Sequence, residues 1–158
     1  MNADEMKRYL LDRFEGIEVA ENLGDSFFIY DPDGNLPPQR QMPFVTIVTG
    51  DNYDQVSALS EPDTYRLNIG LPKDRYTALF GAVPRGRDEH GVFDTGYDYA
   101  ARDRLMPHPI YAAQYWVCVV NPGPETLDTV LPMLTESYEF AVRKHTNWQV
   151  RHRPAPLS

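Results

Sequence analysis

The run Tyr115-Trp-Val-Cys-Val-Val120 carries no charge and is apolar at both odd and even positions. A segment covered on both faces in this way reads as a central strand, so the chain must build a sheet around it. Tyr65-Arg-Leu-Asn-Ile69 alternates strictly instead, placing Tyr65, Leu67 and Ile69 on one face and Arg66 and Asn68 on the other. The expected sheet therefore has a covered face and a face free to hold polar groups.

The remaining elements follow from capping and periodicity. Asn2 followed by Glu5 has the form of a capping box, and Met6, Leu10 and Phe14 recur at helical spacing up to Gly16, predicting a helix over 3–15. Ser26-Phe-Phe-Ile-Tyr30 and Pro43-Phe-Val-Thr-Ile-Val-Thr49 predict two antiparallel strands joined by an extended connection that begins with the turn Asp31-Pro-Asp-Gly34. Residues 50–63 read as a polar loop. Pro72, Tyr76, Leu79 and Phe80, closed by Gly81, mark a short second helix. Residues 82–104, rich in Gly, Arg and Asp, read as a mobile loop or an inserted hairpin. After Asn121-Pro-Gly-Pro124, apolar residues from Leu127 to His145 hold helical phase, with Pro132 either kinking the helix or moving its start to about Thr129. The order α, β, β, β, α, β, α predicts a single α+β domain over 1–146, an antiparallel sheet with helices packed on one face, and a basic tail over 147–158.

Composition excludes several classes. The chain has 158 residues and one cysteine, so it can form neither an internal disulfide nor a four-thiolate zinc site. At this length about two-thirds of the surface can be buried without metal or disulfide staples. No run approaches the roughly 18 apolar residues of a membrane span, and the acidic N-terminus lacks the form of a signal peptide. A soluble cytoplasmic protein is expected. The net charge of -8 argues against nucleic acid as a partner. That charge is uneven, however: residues 1–63 carry 13 acidic and 4 basic side chains, whereas residues 64–158 carry 10 and 11. Arg143, Lys144, Arg151 and Arg153 stand in the last sixteen residues without a carboxylate.

Few residues carry a chemical motif. The Asp31 to Asn35 segment lacks the Gly and Glu positions of an EF-hand loop and reads as a turn. The glycines form no phosphate loop, and no Gly-x-Ser-x-Gly elbow is present. His90, His108, His145 and His152 are scattered, so no metal site and no cofactor are expected. Cys118, between Val117 and Val119, reads as an inert buried thiol. The densest chemistry is Met106 to Trp116, where Pro107 and Pro109 restrict the backbone around His108, with Tyr111, Gln114 and Trp116 following. An imidazole held there suits general acid or base work near neutral pH, with Tyr111 beside it, or else caps the strand through the backbone. Arg66 suits an anionic ligand or a surface ion pair.

The run Tyr65 to Gly70, the segment Leu105-Met-Pro-His-Pro-Ile-Tyr-Ala-Ala-Gln-Tyr-Trp-Val-Cys-Val119 and the helix with Glu136, Ser137 and Tyr138 resemble a bacterial family known only as domain of unknown function 6194, over about Met6 to His145. The order His108, Trp116, Ser137, Tyr138 is more distantly similar to the MmcQ/YjbR-like proteins. That resemblance implies a small α+β fold of the CyaY-like type and DNA binding by analogy. The acidic N-terminal half and the 82–104 segment depart from it.

These features lead to the expectation of a domain that binds a small molecule or a protein partner on the exposed sheet face through Arg66, Asn68, His108, Tyr111, Gln114 and Trp116. The alternative is a small-molecule enzyme with His108 as acid or base and Tyr111 or Arg66 positioning the substrate. DNA binding comes third, resting on the distant resemblance alone.

Overall fold

The computed structural model describes residues 1–152. Helix α1 spans Ala3–Arg13, and its capping box forms as expected: the Asn2 side chain accepts from the Glu5 N–H while the Glu5 carboxylate accepts from the Asn2 N–H. Strands β1 (Ile17–Asn22), β2 (Asp25–Tyr30), β3 (Val45–Val48) and β4 (Arg66–Gly70) follow. Helix α2 (Lys73–Phe80), the two-residue strand β5 (Met106–Pro107), strand β6 (Trp116–Val120) and helix α3 (Leu127–Arg151) complete the domain. All six strands form one sheet in the order β1-β2-β3-β4-β6-β5, and every neighbouring pair is antiparallel. The chain is thus a single-domain α+β fold.

Register sorts the side chains into two faces. Phe28, Val45, Ile69 and Val117 stand in one cross-strand row, and Ile47, Leu67 and Val119 in the next. These residues meet Met6 and Leu10 of α1, Tyr76 of α2, and Val130, Met133 and Leu134 of α3 in the main core. Helices therefore cover one face, because their apolar stripes match it. Ser137, in the middle of α3, donates to the carbonyls of Phe44 (3.0 Å) and Gly70 (2.6 Å), tying the helix across the ends of β3 and β4. Tyr138 stacks on Phe14 with ring centroids 4.6 Å apart and donates to the Glu15 carbonyl, fixing α3 against the end of α1.

Four features differ from the sequence expectation. The two-residue strand β5, paired with β6 at the sheet edge, is additional. Strand β1 is additional: it joins β2 through a two-residue turn in which Leu23 and Gly24 both have positive φ (54° and 85°). The 82–104 segment is packed rather than loose. Arg87 and Phe93 form an antiparallel bridge, and Val92, Phe93 and Tyr99 are buried. Helix α3 begins at Leu127 with Pro132 inside it, and it continues through residues 147–151 of the expected tail. Residues 153–158 of that tail lie outside the described residues.

Candidate functional site

The face of β4 that holds Arg66 and Asn68 is not exposed. Arg66 is 1% and Asn68 2% accessible, because the segments 51–64 and 82–104 fold over this side of the sheet. Val48, Leu59 and Val120 form one small apolar cluster there. Val92, Tyr99, Met106 and Cys118, with Val56 and Tyr97 against them, form another. A binding site on an open sheet face is therefore replaced by a buried polar network. Alternation shows which residues share a face but says nothing about what covers it, and the covering segments have no periodicity to announce them.

Within that network Arg66 is satisfied almost completely. Its Nη1 and Nη2 donate to the two carboxylate oxygens of Asp54 (2.9 and 2.7 Å), Nη1 also donates to Ser57 Oγ (2.9 Å), and Nε donates to Asn68 Oδ1 (2.9 Å). Asn68 in turn donates to Thr46 Oγ1. Burial works against the guanidinium charge, but the hydrogen bonds and charge of Asp54 outweigh it and hold Arg66 above its usual pKa. This bidentate pair uses most of the donors that an anionic ligand would need. Asp25 lies in the same field and is fully buried; its Oδ1 accepts from the Thr49 N–H, while Oδ2 has no partner. Burial raises its pKa, against the opposing effects of the Thr49 bonds and of Arg66.

His108 sits beneath the surface, 3% accessible. Its Nδ1 accepts from the backbone N–H groups of Ile110 and Tyr111, both at 3.0 Å, which leaves the ring proton on Nε2. Burial first, and the charge of Arg66 second, push its pKa well below the usual histidine value, so the imidazole is neutral. Of the two expectations for His108, acid or base against backbone cap, the second holds: the imidazole braces the turn that follows it. Tyr111 lies 5.1 Å from His108 between ring centroids and is 53% exposed; Gln114 is exposed, and Trp116 is half-buried against the imidazole. Tyr115, in left-handed backbone (φ 69°), closes the turn and returns the chain to β6. The fold thus brings His108, Tyr111 and Trp116 together, while Arg66 and Asn68 are taken up by Asp54, Ser57 and Thr46.

Cys118 is fully buried, as expected, and burial pushes its thiol up to about 12. Trp116 packs over Gly70, where a Cβ would come within 3.0 Å of the indole, so glycine is what lets the ring lie flat on the sheet. One functional-looking carboxylate escaped the sequence reading. Asp103 accepts from the N–H groups of Gly123, Glu125 and Thr126 and from the Thr126 hydroxyl, pinning the turn that leads into α3. Burial opposes its charge, but these hydrogen bonds prevail and lower its pKa. Nothing local in the sequence marks it, because the carboxylate is supplied from about twenty residues upstream.

Among the described residues no group of His, Cys, Asp and Glu is placed to hold a metal ion. The grooves along α2 are open. The one between α2 and α3, about 390 Å³, is crossed by the ion pair Arg75–Glu136 (2.9 Å) and flanked by Arg143. No helix among the described residues is long and apolar enough to cross a membrane.

A compact α+β domain with one helix-covered face, one loop-covered face and an exposed aromatic turn is the class that this geometry defines. The chain belongs to the family of unknown function DUF6194, whose family model matches residues 1–150. No curated protein and no solved structure matches the chain. The resemblance is therefore shown for this family and not for the MmcQ/YjbR-like proteins.

Proposed function

We propose that the chain is a binding module that engages a protein partner or a small molecule at the turn formed by Tyr111, Gln114 and Trp116. The observation that carries this reading is the pair of backbone hydrogen bonds to His108 Nδ1, which holds the turn rigid while the Tyr111 ring stands half out of the surface. A tyrosine presented from a braced turn offers large contact area at small entropic cost, and Trp116 beside it extends the apolar floor. The enzyme reading needs an accessible His108 lone pair, and both backbone donors already occupy it.

The test is site-specific photocrosslinking in the native host, with Tyr111→benzoylphenylalanine compared with the same residue at exposed Leu11, together with thermal shift of the purified chain against a metabolite library. A discrete adduct at position 111 alone, or a ligand shift abolished in Tyr111→Ala, is expected. Absence of both defeats the proposal. Gel shifts with duplex DNA address the third reading, and none is expected at physiological salt, given a net charge of -8.

A further inference from the structure

A second surface, away from the Tyr111 turn, gathers positive charge. From Phe140 to His152, helix α3 carries Arg143, Lys144 and Arg151 and no carboxylate, and the 31–44 connection adds Arg40 to the same flank. Aromatic rings support three of these four cations. The Arg40 guanidinium lies 5.5 Å from the centre of the Trp148 ring, and Lys144 Nζ and the Arg143 guanidinium lie 4.4 and 5.7 Å from that of Phe140. All four basic side chains are exposed, and among the described residues none makes an ion pair. The two carboxylates on the adjoining connection are engaged elsewhere: Asp31 accepts from the Asn35 and Leu36 N–H groups, and Asp33 from the Gln149 amide. Like charges held together on rings, without a neutralising partner, cost repulsion that an anionic partner would relieve.

We propose that this stripe docks a short acidic segment of a partner protein. Residues 143 to 151 rise about 12 Å along the helix, which suits several carboxylates in succession rather than a single anion. Guanidinium groups laid on rings present a planar fork for bidentate carboxylate contacts. Half-buried Trp148 adds apolar contact for a hydrophobic residue between the acids. Nucleic acid fits less well: four cations fall short of the six to ten phosphate contacts, roughly, of a typical site, and the chain as a whole, net -8, would repel so dense a polyanion.

The test uses the full chain and a fluorescein-labelled peptide of alternating glutamate and leucine, read by anisotropy at about 50 mM salt. Binding is expected, weakened about fivefold by Arg40→Gln or by Lys144→Gln. Arg8→Gln and Tyr111→Ala serve as controls and leave it unchanged, the second separating this surface from the turn. Titration of the unsubstituted chain should shift the Trp148 indole N–H resonance, so the site can be mapped even if a substituted chain folds poorly. No binding, binding indifferent to both substitutions with no shift at Trp148, or tighter binding of an oligothymidylate of about 15 nucleotides overturns the proposal, the last placing nucleic acid on the stripe instead.

Discussion

Arg66 illustrates how much a single residue can hide from its sequence context. The alternation Tyr65 to Ile69 correctly places it opposite Leu67 and Ile69, yet its partner Asp54 lies in a stretch with no pattern of its own. A buried charge is tolerable only when it is paired, and removing one partner of such a pair costs about 3–5 kcal/mol. Asp54→Ala is accordingly expected to lower unfolding stability by about that amount in urea titration. The double change Asp54→Leu with Arg66→Met should cost less than Asp54→Ala alone, because it leaves no unpaired charge behind. If the single change costs under about 1 kcal/mol, water reaches the pair and the loops are not a seal. His108 was half legible in the same way: the flanking prolines announced a fixed imidazole, but only the fold shows that its lone pair faces the backbone.

Among the elements, those with strong local signals were read almost to the residue. The capping box at Asn2, the helix ending at Gly81 and the alternating strand at Arg66–Gly70 each carry their instructions within a few residues. Strand β1 was missed for a physical reason. The two positions of its turn with β2 both require positive φ, for which Asn-Gly is the usual signal, and here Leu23 occupies the first. A leucine in left-handed backbone costs about 1–2 kcal/mol, and this one is 66% exposed with no packing to compensate. Leu23→Asn is therefore expected to raise stability by about 1 kcal/mol, seen as a higher thermal midpoint without change of fold. An unchanged or lowered midpoint would show that Leu23 makes a contact worth more than its strain. The cover formed by residues 82–104 was illegible for a different reason: its buried Val92, Phe93 and Tyr99 follow no period, and Asp103 anchors its end on the 123–126 turn through bonds that no spacing rule describes.

For the whole molecule, these buried groups set how stability changes with pH. His108 is held neutral in the fold, whereas in the unfolded chain it takes up a proton below its ordinary value of 6.5. The unfolded state then binds the extra proton, so stability is fully present above about pH 6.5 and declines as pH falls, at up to about 1.4 kcal/mol per pH unit. Asp103 acts in the same sense at lower pH: its depressed carboxyl gives stability above 3.8 that is lost as pH falls through its folded pKa, and its hold on the turn before α3 goes with it. Asp25 acts in the opposite sense, because its raised carboxyl takes up a proton in the fold before the unfolded chain does, so acid relieves a cost there. A variant isolates the histidine from both. In His108→Asn the side-chain oxygen stands where Nδ1 stood and still accepts from Ile110 and Tyr111, but this side chain carries no titrating group. Urea unfolding between pH 7.5 and 5 should slope less for His108→Asn than for the natural chain, with the two differing most at the acid end. Equal slopes would mean that the imidazole takes up its proton without unfolding. The turn at Tyr111 would then be open to water, the enzyme reading would regain its acid or base, and the brace on which the proposed binding surface depends would be lost.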